Sequence, residues 1–256
     1  MQLNNSNYFS SDAMMEYWSV SQFKAFDKCE AAALAELRDE YRRKETTALL
    51  VGSYVDAYFS DELEDFYIEH PEVFNSRTGE LKADFRNADE VIMALENQPV
   101  IMQFMSGERQ AIRTAELFGV PWKIKMDFYS PDKIVDLKVV RNFEPIYEEG
   151  FGMRSWIEYW GYDIQGAVYQ KVEQIASGRN TPLPFYLAAA TKEDPPDIKL
   201  IQIPQHVLDT ALKVVESKID RFDLVKTGEI PPERCDKCAY CRKTKVITGP
   251  EVYEVE

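Results

Sequence analysis

The hydrophobic pattern of the first sixty residues predicts two helices. Residues 17–41 carry apolar side chains at helical spacing after a serine, Ser19 or Ser21, that can accept hydrogen bonds from the free amides of the first turn. Residues 46–60 predict a second helix, in which Asp56 shares a face with small residues. Such a face lets another backbone come close, and Asp56 would project from the surface of approach.

Beyond residue 107 the pattern alternates between strand-like and helical segments. Three apolar runs are followed by a long helical run, two more strands and a last helix that ends before a Pro-Pro pair. The strands are 109–117, 121–129, 133–140, 183–191 and 198–204, and the helices are 155–177 and 206–228. The order of these elements predicts an α/β fold in which helices flank a mixed central sheet.

The remaining segments differ in character. Residues 71–107 are polar and rich in turn formers, with a short helix around 86–96, and they predict an insertion or lid. Residues 231–245 begin with the Pro-Pro pair and contain three cysteines, which predicts a small C-terminal knuckle. The sequence shows no internal repeat and no low-complexity tract, so residues 1–256 are expected to form one domain.

Composition sets limits on the class of protein. The chain has 256 residues, 45% of them hydrophobic, which is enough for a substantial core. No apolar run approaches the roughly 20 residues of a membrane span, and the N-terminus does not resemble a signal peptide. We therefore expect a cytoplasmic protein. The net charge of −14 argues against a protein that coats nucleic acid, but an enzyme acting on DNA needs only a local basic channel.

The strands 121–129 and 133–140 predict a hairpin whose register depends on its turn. Ser-Pro-Asp-Lys at 130–133 suits a type I turn, because proline is preset for the second position and serine bonds back to the turn amides. With these four residues as the loop, Tyr129 faces Ile134.

That register brings charged side chains together. Asp127 would face Asp136, and Lys138, two residues further, would point to the same side of the sheet. A three-residue loop would instead place Asp127 opposite Val135 and separate the group. Two adjacent carboxylates are costly to bury without a cation.

A divalent cation between the carboxylates would remove that cost, since Mg²⁺ prefers oxygen ligands. A water acidified by the metal and steered by Lys138 would be a nucleophile suited to phosphodiesters, and Lys138 could neutralise charge developing on the phosphate oxygens. The alternative is an ordinary buried salt bridge between Lys138 and one of the aspartates. The hairpin alone leaves both interpretations open.

The wider pattern resembles the PD-(D/E)XK nucleases. Met126-Asp127 and Asp136-Leu137-Lys138 correspond to the two halves of that signature, with Met where the motif has Pro. Gln165 and Tyr169, four residues apart on the next helix, resemble the Gln-x-x-x-Tyr element of the RecB-type branch. The blocks Gly52–Asp56 and Gly107-Glu108 also fit that branch. The resemblance covers roughly residues 15–245 and is strongest to the exonucleases similar to exodeoxyribonuclease VIII, the RecE-like group.

The resemblance implies a restriction-endonuclease-like fold with an αβββαβ core and a Mg²⁺- or Mn²⁺-dependent exonuclease that acts on linear duplex DNA in phage-type recombination. It implies catalytic roles for Asp127, Asp136, Lys138, Gln165 and Tyr169, and metal binding by Asp56, Asp127, Asp136 and Leu137. Asp56 departs from the branch, which has histidine there, so a helix-surface aspartate is the alternative. Duplex DNA, a single-strand annealing protein and further copies of the chain in a toroid are the implied partners.

The four cysteines lie at the two ends of the chain. Cys235, Cys238 and Cys241 form a C-x₂-C-x₂-C motif, and Cys29 is the fourth. This arrangement resembles the iron–sulfur staple of AddB-like and CRISPR-associated nucleases, although the last gap is shorter here. Four thiolates suit a [4Fe–4S] cluster or zinc, and the tight spacing favours iron–sulfur. Reduced thiols without metal are the third reading.

DNA binding by so acidic a chain requires local cations. The basic residues on or near the segments of the predicted site are Arg141, Arg154, Lys171 and Lys192, and we expect them to line one groove. Two other functions stay open: a non-catalytic DNA-binding or scaffold module on a nuclease fold, and a structure-specific repair endonuclease.

Overall fold

The computed structural model describes residues 1–247, 249 and 250, and its centre is a five-stranded sheet. The strands are β1 (Glu108–Leu117), β2 (Val120–Ser130), β3 (Lys133–Val140), β6 (Phe185–Thr191) and β7 (Ile198–Gln202), in the spatial order β1-β2-β3-β6-β7. β3 and β6 are parallel and the other neighbours are antiparallel. The predicted mixed sheet and restriction-endonuclease-like α/β fold are confirmed. A separate hairpin, which the pattern did not predict, consists of β4 (Ile146–Glu148) and β5 (Gly152–Arg154).

Helices surround the sheet, and five of the eleven described begin at a residue whose side chain caps the first turn. Ser19, Thr46 and Ser155 each accept a hydrogen bond from a backbone amide of the helix that follows. The helices are α1 (Ser11–Glu16), α2 (Val20–Lys28), α3 (Glu30–Leu37), α4 (Thr47–Phe59), α5 (Leu63–Glu69), α6 (Ala83–Glu96), α7 (Pro99–Phe104), α8 (Trp156–Tyr159), α9 (Tyr162–Ser177), α10 (Gln205–Thr227) and α11 (Ala239–Lys243), with a 3₁₀ turn at Pro71–Val73. None of the helices described combines the length and the hydropathy needed to cross a bilayer.

The sheet separates two apolar layers. One face carries Ile134, Leu187 and Ala189 and packs against α2, α9 and α10. The other face carries Val135, Leu137 and Ala188 and packs against α4 and α6. The segment 71–107, predicted as an insertion or lid, forms α6 and α7, and its buried apolar side chains belong to the second layer. None of its residues is among those that line the cleft of the candidate site.

Two predicted helices are each broken in the structure. The segment 17–41 divides into α2 and α3 at Cys29, whose extended backbone ends one helix and starts the next. The segment 155–177 divides into α8 and α9 at Gly161, which adopts φ 63°. Glycine reaches this left-handed conformation without the steric cost that other residues incur. Apolar periodicity continues across both breaks, which is why the sequence predicted single helices.

Strand β2 changes neighbours along its length. It pairs with β1 in one register on both sides of Asp127, but the ladder skips Asp127 and its counterpart Gln110, which has φ 53°. Its pairing with β3 covers only residues 128–130, so the two strands part at Asp127. Near the start of β2, the backbone of Trp18 lies along the strand and forms hydrogen bonds to the backbone of Pro121 and Lys123. A cleft can therefore open between β2 and β3.

Candidate active site

The hairpin of β2 and β3 has the predicted register. Tyr129 pairs with Ile134, and Phe128 with Val135 is the last pair of the ladder, so Asp127 and Asp136 occupy the next position, where the strands part. The Asp127 carboxylate fills part of this gap, because its Oδ2 accepts a hydrogen bond from the Leu137 amide at 2.8 Å. A side chain thus replaces a backbone carbonyl as the acceptor and faces the interior of the cleft.

Asp136 and Lys138 form a buried ion pair on β3. Asp136 is only 1% exposed, and its Oδ2 lies against the Lys138 ammonium. Among the described residues, this oxygen has no hydrogen bond of normal geometry. The carboxylate is therefore neutralised by charge but retains unused capacity to bind a cation or a proton.

Helix α9 presents the next two predicted residues to the same place. The Gln165 side-chain amide donates to Asp136 Oδ1 at 2.7 Å, and Tyr169 lines the cleft one turn further on. Gly166 allows this approach, since a Cβ there would come within 2.6 Å of Phe185 and 2.9 Å of Leu208. Helix and sheet therefore pack closely at the residue that follows Gln165.

Gly107 fixes the start of β1 beside the hairpin. Its φ is 116°, and a Cβ would come within 2.3 Å of the Tyr129 carbonyl oxygen. Both the conformation and the contact require glycine. The Gly107-Glu108 block predicted from the sequence therefore has a structural role next to the site.

Asp56 on α4 completes an acidic cleft of about 850 Å³. Asp56, Asp127, Gln165 and Tyr169 all line this cleft, whereas Asp136, which is buried, and Lys138 are not among its lining residues. Burial raises the pKa of Asp56 to about 6, and the charge of Asp136 adds to the rise. Burial also raises the pKa of Asp127 well above its usual range, with further contributions from Asp136 and Asp56. The neighbouring aspartates therefore favour an added positive charge.

These residues fit a hard divalent cation. The donor set is three carboxylates, of which Asp136 has a buried oxygen without a hydrogen bond, and Mg²⁺ and Mn²⁺ prefer such oxygen donors. Among the described residues, only the four cysteines form a group of three or more potential ligand residues whose atoms all lie within 4.8 Å of one another. Asp56, Asp127 and Asp136 are therefore spread more widely than that. Ligands about 2.1 Å from one Mg²⁺ lie at most about 4.2 Å apart, so as placed the three carboxylates do not all reach one ion directly.

The predicted DNA-binding residues do not gather around the cleft. Arg154 is paired with Glu148, Lys171 donates to Gln174, and Lys192 donates to the Ala48 carbonyl. Arg141 is exposed on the loop after β3. None of these four is among the residues that line the cleft.

The cations that do line the cleft include Lys24 on α2 and Lys125 on β2. Sequence reasoning missed both. The only signal for Lys125 was its alternation with Asp127 on one strand. No signal in the sequence pointed to Lys24, because its position at the cleft depends on how α2 packs against α9.

The four cysteine side chains lie together at the C-terminal end of α2. Cys29 Sγ lies 3.5 Å from Cys241 Sγ and 3.9 Å from Cys238 Sγ, and all four sulfurs lie within 4.8 Å of one another. Backbone amides point at two of them, from Cys238 to Cys235 Sγ at 3.3 Å and from Cys241 to Cys238 Sγ at 3.4 Å. Such donors stabilise thiolates, so the group has the chemistry of a metal-ligand set.

An ion pair supports the same junction. Glu30, the residue after Cys29, is buried, and its carboxylate accepts from Arg221 on α10 and from the Glu233 amide at 2.7 Å. The C-terminal knuckle is thus joined to the start of α3 by sulfur contacts and by a carboxylate.

Comparison with known proteins agrees with this geometry. Residues 19–244 match the family described as a PDDEXK-like domain of unknown function, DUF3799. The crystal structure of a "putative exonuclease" from Eubacterium rectale has a TM-score of 0.93 and 43% sequence identity, and covers 98% of this chain and 97% of that chain. The structure of SSO0001 covers 87% of this chain at 15% identity, but its TM-score of 0.29 supports no argument. No curated protein matches the sequence.

Proposed function

We propose that this chain, which belongs to the PDDEXK-like domain family DUF3799, is a Mg²⁺- or Mn²⁺-dependent deoxyribonuclease that degrades linear duplex DNA from its ends. The family and the neighbouring crystal structure support a nuclease. The choice of DNA, the metal dependence and the exonucleolytic action are the content of the proposal.

One observation supports it most. Asp127, Asp136 and Lys138 meet where β2 and β3 part, and Gln165 holds Asp136 from the adjacent helix. An ordinary salt bridge would account for Asp136 and Lys138 alone. It would not account for Asp127 and Asp56, whose pKa values are raised first by burial and then by the charge of neighbouring carboxylates. Accumulation of buried like charge is typical of metal-dependent active sites.

Asp127 and Asp136 would hold the cation, and Asp56 would reach it through one of the waters that Mg²⁺ usually retains. When bound, the ion supplies a more acidic water and neutralises charge on the phosphate oxygens. Gln165 orients Asp136 through its hydrogen bond to Oδ1, which leaves Oδ2 of Asp136 against Lys138. The predicted part of Leu137 in metal binding would fall to its backbone carbonyl, since its amide donates to Asp127, and it stays a prediction.

Lys138 acts as a cation and not as a base. Burial alone would lower its pKa, but Asp136 and Asp127 more than offset this and raise it above the ordinary value. Its ammonium therefore keeps its proton at neutral pH and can donate to the attacking water or to a phosphoryl oxygen. Burial raises the pKa of Tyr169 as well, so this residue remains a neutral phenol.

The four cysteines would hold a structural metal. Tetrahedral zinc with Zn–S bonds of about 2.3 Å requires sulfurs about 3.8 Å apart. Three of the sulfur separations are 3.5, 3.9 and 4.0 Å, close to that value, and all lie within 4.8 Å. In a [4Fe–4S] cluster each cysteine binds a different iron, which spreads the sulfurs further. The separations therefore favour one zinc ion over the iron–sulfur cluster that the spacing in sequence favoured.

The deciding experiment compares linear and covalently closed circular duplex DNA with Mg²⁺, with Mn²⁺ and with EDTA. Degradation of linear DNA alone supports the proposal. Cleavage of the circle would indicate the repair endonuclease instead. Absence of cleavage with either metal, together with DNA binding, would indicate a non-catalytic module. Asp127→Asn is the matched control, since asparagine can still accept from the Leu137 amide but carries no charge.

The biological setting stays a prediction. A role in phage-type recombination predicts a single-strand annealing partner and a toroidal oligomer. Light scattering of the purified chain, with and without duplex DNA, would test the oligomer directly, and a monomer under both conditions would contradict it.

A further inference from the structure

Lys24 is a cation placed in the candidate active site by tertiary structure. It lines the same cleft as Asp56, Asp127 and Gln165, although it belongs to α2, far from the signature residues in sequence. Its charge and those of Lys138 and Asp136 are close enough to influence one another. It therefore stands beside the predicted reaction centre.

The Lys24 side chain is held by the turn between α8 and α9. Its Nζ donates to the Trp160 carbonyl at 3.0 Å and lies 5.6 Å from the centre of the Tyr162 ring. The Lys138 ammonium lies 5.3 Å from the same ring. The two lysines thus share one aromatic neighbour.

Gly161 leaves the path that the Lys24 side chain needs. A Cβ at Gly161 would come within 2.9 Å of Lys24 Cδ. The left-handed glycine that breaks the predicted helix therefore also makes room for this lysine.

Lys24 has unused capacity for an anion. Among the described residues, Lys24 forms no salt bridge, although the charges of Asp136 and Asp163 act on it from further away, and the Trp160 carbonyl uses one of its three N–H groups. Burial, together with the charge of Lys138, lowers its pKa to about 8. An ammonium that is half buried without an acidic partner gains from a bound anion.

We propose that Lys24 binds a backbone phosphate of the nucleic acid adjacent to the phosphate that is cleaved. The inference rests on the proposed nuclease function and adds a substrate-binding residue to it. Without such cations, the carboxylates that line the cleft would repel DNA. Lys24 lines the cleft, its charge interacts with that of Lys138, and its Nζ is held by the Trp160 carbonyl, so it supplies a fixed positive charge for a phosphate at this place.

The test measures duplex DNA binding in Ca²⁺, across a salt series, for wild type, Lys24→Met and Lys24→Arg. Lys28→Met is the matched control, because Lys28 is exposed on the same helix and lies outside the cleft. Lys24→Met should lower the affinity for duplex DNA about 10- to 100-fold. It should also reduce the slope of log affinity against log salt concentration by about 0.9. Lys24→Arg should keep most of both, and Lys28→Met should change neither.

Ends with a 5′-phosphate and with a 5′-hydroxyl separate two sources of the phosphate. If Lys24→Met loses affinity only for DNA with a 5′-phosphate, Lys24 binds the terminal phosphate. If it loses affinity equally for both kinds of end, Lys24 binds an internal phosphodiester. If Lys24→Met matches Lys28→Met in affinity and slope, the inference is wrong. The same holds if Lys24→Met lowers only thermal stability, because Lys24 then merely anchors Trp160.

The two proposals can fail separately. Wild-type protein that binds DNA with a Lys24-dependent salt slope but cleaves nothing with Mg²⁺ or Mn²⁺ overturns the nuclease proposal and keeps the binding site. Wild-type protein that cleaves linear DNA while Lys24→Met binds normally overturns only the role of Lys24. Wild-type protein that neither binds nor cleaves DNA overturns both.

Discussion

Gln165 on α9 donates a hydrogen bond of 2.7 Å to Asp136 on β3 and thereby joins the helix to the acidic centre. This bond fixes which oxygen of Asp136 remains available, because Oδ1 is occupied and Oδ2 lies against Lys138. Partners of this kind orient metal ligands, and their loss typically costs about 10- to 100-fold in metal affinity or activity.

We therefore predict that Gln165→Ala lowers kcat by about 10- to 100-fold and weakens Mn²⁺ binding, while the fold is kept. The measurements are cleavage kinetics over a Mn²⁺ titration and Mn²⁺ binding by calorimetry. Gln174→Ala is the matched control, since Gln174 lies on the same helix and its side chain bonds, among the described residues, to Lys171 and the Asn180 carbonyl. Unchanged metal affinity in Gln165→Ala would contradict a positioning role.

Replacing Lys138 should separate turnover from metal binding. Lys138→Met removes a buried ammonium that donates to water or phosphate, so we expect kcat to fall about 10²- to 10³-fold. Metal affinity should fall much less or even rise, because Asp136 then loses its competing cation. Single-turnover cleavage and Mn²⁺ calorimetry measure the two effects. A loss of metal affinity as large as the loss of turnover would argue that Lys138 only organises the carboxylates.

Asp56 should make the metal-free protein less stable as pH rises. Its folded pKa of about 6 exceeds the ordinary 3.8, so the protonated form favours folding, and this contribution is fully present below about pH 4 and lost through about pH 6. In EDTA, Asp56→Asn should therefore be more stable than wild type at pH 8, by at most about 3 kcal/mol. The difference should shrink below pH 6 and disappear near pH 4.

Thermal melts of both proteins at several pH values test this directly. Added Mg²⁺ should stabilise wild type at pH 8 far more than Asp56→Asn, because the ion favours the charged form. A stability difference that is constant from pH 4 to pH 8 would show that Asp56 does not titrate in this range and is not strongly buried beside like charge.

A network at the far end of α9 should stabilise the hairpin. Arg179 donates to the buried Glu173 carboxylate at 3.0 Å and to the Pro131 carbonyl at 3.0 Å, and the Tyr129 hydroxyl donates to the same carboxylate at 2.9 Å. Arg179→Met leaves a buried carboxylate without its cation, so it should lower the melting temperature.

The double variant Arg179→Met, Glu173→Gln is the informative control. It removes the uncompensated charge, so it should be more stable than Arg179→Met alone. If the two variants melt at the same temperature, the charge of Glu173 is not the reason for the loss, and the contact of Arg179 with Pro131 is the better explanation.

Cys29→Ser should abolish the metal at the cysteine site. We expect about one zinc per wild-type chain, measured by elemental analysis after anaerobic purification, and a much smaller amount in the variant. Hydrogen exchange in residues 231–245 should speed up. Glu30→Gln is the control, since it weakens the same junction without touching sulfur and should keep the metal. Brown protein with thiolate–iron absorbance would show an iron–sulfur cluster in place of zinc.

The sequence by itself determined the features that depend on local chemistry. The Ser-Pro-Asp-Lys turn set the hairpin register, and a period of two then placed Asp127, Asp136 and Lys138 together without any knowledge of the rest of the fold. The order of strands and helices was sufficient for the mixed sheet. Spacing along α9 was likewise sufficient to bring Gln165 and Tyr169 to the same cleft.

The sequence pattern did not predict the breaks within helices and strands. Cys29 and Gly161 interrupt runs whose apolar period continues, and Gln110 adopts a positive φ inside a strand. Each of the three lies beside a residue distant in sequence, Cys29 beside Cys241, Gln110 beside Ser60 and Gly161 beside Lys24, and periodicity does not contain such contacts. The same reason explains why 71–107 forms a packed layer, since its apolar positions have meaning only against α4 and the sheet.

Only the tertiary structure decided which charges belong to the site. Arg141, Arg154, Lys171 and Lys192 are near the signature in sequence but do not line the cleft, whereas Lys24 and Lys125 do. Sequence spacing predicts the direction of a side chain only within one strand or helix. Charged side chains are tolerated on almost any exposed surface, so their presence near the signature does not place them in the site. The packing of α2 against α9 and the parting of β2 from β3 select the cations that face the acidic centre, because these contacts join segments that lie far apart along the chain.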